Sequence, residues 1–162
     1  MLHSSIQELG KSISGKFDVI TCHAVLEWLA DPKATLEDLV RFLKPDGRLS
    51  LMFYNRNAAL LKRILRAEFS AALREHKEDS SPRKWGRGAA PLAEEVVREW
   101  LDELRLEVRS KAGVRIFHDH LPRGAQNRER LDGLLQVEKE LRKQEPFASL
   151  GQHIHLVCEW AR

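Results

Sequence analysis

FDVITCHAVLEWLADPKATLEDLVRFLKPDGRLSLMFYN, residues 17–55, decides the fold. Phe17, Val19, Ile20, Thr21 and Cys22 make a short apolar run rich in β-branched residues, the pattern of a buried parallel strand. Asp31 then offers a helix N-cap, with Pro32 at the first helical position. Leu36, Leu39, Val40 and Leu43 recur at helical spacing, which predicts an amphipathic helix over 32–43. Pro45, Asp46 and Gly47 stop it and turn the chain. A second apolar strand follows over 48–53. Strand, helix, strand is a parallel crossover, and its hand is set by the right-handed rule. Open α/β sheets bind ligands beyond the carboxyl ends of their strands. That makes His23 to Trp28 a candidate rim, with Tyr54 and Asn55 beside it.

Outward from this unit the signals are mixed. Residues 1–16 are polar, carry Gly10 and Gly15, and read as an entry loop with a helical turn near Ile6. A helix is expected over 58–74, with Leu60, Leu61, Ile64 and Leu65 inward and Lys62, Arg63 and Arg66 on its polar face. Periodicity vanishes over 75–90, where Ser80, Ser81, Pro82, Gly86 and Gly88 cluster. Pro91 opens another helix, and an extended segment covers 106–118. A charged helix over 128–144 is expected to turn Leu131, Leu134, Leu135, Val137 and Leu141 inward. The chain closes on a strand at 153–160, which with 106–118 suggests an antiparallel pair at the sheet edge. The expectation is one incomplete α/β domain over 1–162, with helices on both faces of its sheet. Its parts are a loop entry (1–16), a strand–helix–strand–helix core (17–68), a mobile basic loop (69–90), and helices with edge strands (91–162).

Bulk properties narrow the function classes. The 162 residues suit a single domain, and Lys plus Arg exceed the acids by only 27 to 24. That is a mild lean toward an anionic partner and no nucleic-acid signature by itself. Cys22 and Cys158 sit in apolar runs without metal-type spacing, as buried free thiols of a reducing compartment would. His153 and His155 alternate on one strand face, but no third ligand lies nearby in sequence, so no metal is expected. Apolar runs are too short to span a bilayer and the N-terminus lacks a signal-peptide layout, so a cytoplasmic protein with no membrane partner is expected.

Four stretches are more specific than the bare pattern: CHAVLEWLADP, LKPDGRLSLMFYN, GVRIFHDH and QEPFASLGQHIH. Together they resemble the bacterial tRNA 5-carboxymethoxyuridine methyltransferases, class I S-adenosylmethionine-dependent enzymes, in order and with similar spacing from Phe17 onward. The resemblance implies a partial Rossmann-like sheet with an antiparallel edge strand, S-adenosyl-L-methionine as cofactor and the anticodon stem-loop of tRNA as partner. It implies transfer of a methyl group to the carboxylate of the modified wobble uridine. It also places His23 on a cofactor-contacting position, with Ile6 and Gln7 flanking the cofactor's adenine. The family's first strands, glycine-rich turn and acidic ribose partner have no counterpart here. Gly86-Arg87-Gly88 lies between helices rather than after a strand. The expectation is therefore a C-terminal portion whose activity needs the missing N-terminal half. A class I methyltransferase of small molecules, an inactive remnant and an RNA-binding fragment are the alternatives.

The implied chemistry asks little of catalytic side chains. A carboxylate with a pKa near ~4 is already ionised at neutral pH, so no general base is needed. Alignment and desolvation remain, along with a cation for the carboxylate, for which Arg has the best shape. Arg115, between Val114 and Ile116, is the first candidate; a solvated strand face is the equal alternative. His118 is read either as a substrate contact or as a histidine hydrogen-bonded to Asp119. Tyr54 and Asn55 are expected to face the substrate, Tyr54 by stacking on the base or lining the methyl donor; the alternative is that Phe53-Tyr54-Asn55 caps the strand and starts the next helix. Trp28 is expected to pack under the following helix. Arg83, Lys84 and Arg87 surround Trp85, a grouping that suits a single RNA strand or merely a solvated loop.

Overall fold

The computed structural model describes residues 3, 5–77, 88–122 and 130–162. Arg83, Lys84, Trp85 and Arg87 lie outside the described residues. Four strands form one mixed sheet in the order β1-β2-β4-β3. They are β1 (Phe17–His23), β2 (Leu43–Tyr54), β3 (Leu106–Val114) and β4 (His153–Trp160). β1 and β2 are parallel, joined through α2 (Pro32–Val40), while β4 is antiparallel to both β2 and β3. The remaining helices are α1 (Leu9–Ser12), α3 (Arg56–Leu65), α4 (Phe69–Lys77), α5 (Glu94–Glu103) and α6 (Leu131–Leu141).

Alternation along the strands builds the core. Leu49, Leu51 and Phe53 of β2 and Ile154, Leu156 and Cys158 of β4 are all fully buried on one face. There they meet Leu36, Leu39 and Val40 of α2 and Val97, Trp100 and Leu101 of α5. Asp31 accepts from the Ala34 amide at 3.0 Å, so the N-cap read from sequence is real. Both cysteines are free and buried; burial pushes the Cys22 thiol up to about 11 and the Cys158 thiol up to about 12.

Among the described residues the second face is the more open one. Val19 is 57% exposed, Thr21 and His23 are exposed, and Ser50, Met52, His155 and Val157 are half-buried. At the Tyr54 end of this face, Arg63, Arg66 and Glu75 act on the phenol. Among the described residues the outer edge of β1 has no strand partner. β1 is thus no buried strand: only Cys22 of its seven residues is buried.

Several boundaries move for physical reasons. Pro45-Asp46-Gly47 does not end the helix; α2 stops at Val40, and the tripeptide is drawn into β2. Phe17 pairs with Leu43 and Val19 with Arg48, so the extra residues bulge out. Gly47 permits this, because a Cβ there would meet Leu43 Cδ1 at 2.8 Å. The expected helix over 58–74 is two helices, broken where Ala67 takes φ 59 and Arg63 pairs with Glu68. α4 then carries helix on to Lys77, inside the expected loop. α6 buries none of its residues; Leu131, Leu135 and Val137 are 41–46% exposed. It is held instead by Glu138, whose carboxylate accepts from the amides of Ile116 and Phe117 at 3.1 and 2.9 Å.

Candidate functional site

β1, β2 and β3 end on the same side of the sheet, and β4 begins there. Their termini carry His23, Tyr54 and His153, with Asn55 and Arg115 just past β2 and β3. Leaving β1, Ala24 takes φ 53 and donates its amide to Met52 at 2.8 Å, which swings the chain outward after His23. The next residues form a short turn over Leu26–Trp28. Trp28 is 65% exposed, contrary to the packed position expected for it, so the rim presents an open indole. Its neighbour Glu27 is only 4% exposed. Burial pushes the Glu27 carboxyl upward, against its own amide and that of Tyr54, and Oε2 has no partner among the described residues.

Tyr54 ends β2 with its ring 5.9 Å from that of His153. Burial raises the phenol; Arg63 and Arg66 oppose this, while Asp119 and Glu75 add to it. Burial lowers the His153 imidazole, helped by the Arg115 charge and opposed by Asp119. Tyr54, His153, Arg115 and Asp119 thus form one electrostatic group, spanning the ends of β2 and β4 and the turn after β3.

Arg115 sits in that turn with φ 56, an uncommon conformation for a non-glycine residue. Three anchors hold it there. Its carbonyl accepts from Gln152, Glu138 ties down the next two amides, and its guanidinium pairs with Asp119. The turn points the side chain off the strand, and 52% of it is exposed. Asp119 also takes the His118 ring at 2.9 Å. Burial works to raise the Asp119 carboxyl, but the bonds from His118 and Arg115 hold it below the usual range. His118 therefore adopts the hydrogen-bonded arrangement beside Asp119, one of its two sequence readings.

Asn55 is placed differently from a ligand-facing group. It is fully buried, Nδ2 donates to the carbonyls of Ser149 and Gly151 at 2.9 and 2.8 Å, and Oδ1 caps α3 through the Asn57 amide. Its side chain is spent on the protein and carries the Gly151 turn into His153. Ile6 and Gln7 do not join the rim either. They line a cavity of about 190 Å³ with Leu9, Asp38 and Arg41, at the end of α2 remote from His23.

On the open sheet face, His23 Nε2 lies 2.8 Å from Ser50 Oγ, and Ser50 Oγ lies 2.7 Å from His155 Nε2. Sequence reading missed this linkage, along with the Glu138 anchor and the His153–Tyr54 pair. The alternation of Ser50, Met52 and Tyr54 against Leu49, Leu51 and Phe53 was the available signal for the polar face. Among the described residues no group of three or more His, Cys, Asp or Glu side chains is placed to hold a metal, and no helix is long and apolar enough to cross a membrane.

A four-stranded sheet with this order, a parallel crossover and an antiparallel strand inserted before the edge defines a class. Residues 2–49 match a family model described as a methyltransferase domain. PKMT2 from Rickettsia typhi in complex with AdoHcy superposes over 97% of this chain and 38% of its own, with TM-score 0.53 and 18% identity. An S-adenosylmethionine-dependent methyltransferase from Clostridium acetobutylicum does so over 93% and 61%, with TM-score 0.52 and 14% identity. The chain has the fold of the class I S-adenosylmethionine-dependent methyltransferases. Within that class it is similar to the tRNA 5-carboxymethoxyuridine methyltransferase of Escherichia coli, 35% identical over 97% of this chain. It is also 32% identical over 66% of its length to a ubiquinone biosynthesis O-methyltransferase of Xanthomonas oryzae. The chain spans 59% of the length of the first relative and 50% of the second.

Proposed function

We propose that this chain forms the carboxyl-side part of a methyltransferase that esterifies the carboxylate of 5-carboxymethoxyuridine at the wobble position of tRNA in the cytoplasm. The observation that carries this reading is the Arg115 turn: a half-exposed guanidinium braced by Asp119, beside Tyr54 and His153, at the ligand end of the sheet. Such a group can take a carboxylate through charge-assisted hydrogen bonds, and the neighbouring ring of Tyr54 can stack on a base. The similarity to the Escherichia coli relative over nearly the whole chain favours this substrate over a small molecule.

The rim fits S-adenosylmethionine on one side. His23 is exposed at the end of β1, and the buried Glu27 leaves one carboxylate oxygen without a partner beside the same turn. His23 and the Ala24 turn would hold the cofactor from that side. Bound there, S-adenosylmethionine supplies an electrophilic methyl group. This chain's part is to hold the two reactants in line and exclude water. Arg83, Lys84, Trp85 and Arg87 would add phosphate contacts and stacking along the RNA strand. No G-x-G-x-G motif occurs in the 162 residues. The chain spans 59% of that relative, and on this reading cofactor binding and turnover use polypeptide equivalent to the remainder.

The test is a chimera in which the part of the Escherichia coli relative that this chain does not match is joined to residues 1–162. It is given S-adenosylmethionine and tRNA carrying the free acid, and the methyl ester is read by nucleoside mass spectrometry. Ester is expected, with a loss of about tenfold to a hundredfold for Arg115→Ala, the worth of a charged hydrogen bond of about 1.5–3 kcal/mol. A folded chimera that methylates a small acid and ignores tRNA would refute the substrate assignment.

A further inference from the structure

We infer that Ser50 and His155 are positioning residues for His23. A hydrogen-bonded chain running His23 to Ser50 to His155 holds the His23 ring with its Nε2 proton toward the sheet and Nδ1 outward at the rim as an acceptor. The use of that acceptor rests on His23 being a cofactor contact; the chain of bonds does not.

Three strands build the arrangement. Register sets His23 opposite Met52 and Met52 opposite His155, with Ser50 in the adjacent row. Both imidazoles turn Nε2 to the same hydroxyl, at 2.8 and 2.7 Å, and their rings meet edge to face with centroids 5.4 Å apart. A serine hydroxyl has one proton. Serving two ring nitrogens, it must donate to one and accept from the other, so the tautomers of His23 and His155 are coupled.

Two directions satisfy the hydroxyl, and surroundings separate them. His155 is half-buried, and burial, with the charges of His23 and Arg142, holds its imidazole below the ordinary histidine range. It is the ring suited to stay neutral and accept the serine proton at Nε2. His23 is exposed at the strand end. A chain starting at His23 Nε2–H keeps both bonds whether His23 is neutral or cationic, since Nε2 carries a proton in either form; the reverse chain breaks once His23 is protonated. The neutral ring then presents a lone pair at Nδ1. A lone pair suits a ligand bearing an ammonium, a sulfonium or a donating hydroxyl, where an outward N–H would repel the cation.

Nitrogen NMR of the histidine side chains in the 162-residue protein at neutral pH tests this without turnover. Wild type should show His23 as the Nε2–H tautomer and His155 as the Nδ1–H tautomer. Ser50→Ala should release His23 into a mixture of tautomers, and Ser50→Thr, which keeps the hydroxyl, should restore the single form. The wild-type spectrum decides the direction even where Ser50→Ala misfolds: His23 found as Nδ1–H overturns the proposal. His23 signals unchanged by Ser50→Ala in a folded protein overturn it equally. A locked His23 whose replacement leaves S-adenosylhomocysteine affinity unchanged in the chimera supports the positioning chain and overturns the cofactor contact.

Discussion

Replacing Asn55 by Ala separates a framework role from a substrate role at the rim. Oδ1 caps α3 through the Asn57 amide at 3.0 Å, and losing such a cap costs about 1 kcal/mol. Nδ2 serves the Ser149 and Gly151 carbonyls, and each acceptor left without a partner in a buried setting costs about 1–3 kcal/mol. Ser149 is half-buried and Gly151 fully buried, so only the second loses its partner without access to water. The sum is about 3 kcal/mol, a large part of the ~5–15 kcal/mol that stabilises a typical domain. Urea unfolding followed by circular dichroism reads it as a midpoint lower by ~1.5 M, for a slope of about 2 kcal/mol/M. Asn55→Asp keeps the cap acceptor but sets a buried carboxylate against the Ser149 and Gly151 carbonyls, so it should destabilise at least as much as Asn55→Ala. A midpoint for Asn55→Ala within ~0.3 M of wild type would refute the framework role and return Asn55 to the substrate-facing group.

Gly151→Ala should unfold or strongly destabilise the chain, because the new Cβ would meet backbone on three sides, with Val114 N at 2.6 Å; thermal denaturation shows the loss. Stability should fall on acidification. The folded Asp119 carboxyl is held below its unfolded value near ~4, so its contribution is complete above that value and is lost as pH drops through the folded one. Asp119→Asn should flatten that acid limb in a pH series of melting temperatures. Replacing Arg83, Lys84 and Arg87 together by Ala should weaken tRNA binding by the chimera and reduce its salt slope by up to about three phosphate contacts, measured by fluorescence anisotropy across salt.

Local rules read the opening crossover well. Asp31 before Pro32 gave the cap, the helical spacing of Leu36, Leu39 and Val40 gave the α2 core face, and the β-branched run gave β1. They failed where partners distant in sequence decide the outcome. α6 looked amphipathic from its leucines, yet it is anchored by Glu138 to amides twenty-one and twenty-two residues away. Ser50 meets histidines 27 and 105 positions off, a contact that only sheet register creates. Trp28 was read as packed under the following helix, and it is 65% exposed. Arg115 was read as the cation for the carboxylate or, equally, as a residue on a solvated strand face. Its left-handed turn, which lifts the side chain off the strand, carries no signal in a run of Val, Arg, Ile and Phe.

His23 is proposed as one wall of an S-adenosylmethionine site shared with polypeptide equivalent to the rest of the Escherichia coli relative. Isothermal titration of S-adenosylhomocysteine into the chimera, into its His23→Ala variant and into residues 1–162 alone tests that directly. Binding by the chimera, weakened about tenfold (~1.4 kcal/mol) in His23→Ala, and no heat with the 162-residue chain are the predicted results. Equal affinity of the chimera and its His23→Ala variant, or tight binding by residues 1–162 alone, would contradict it.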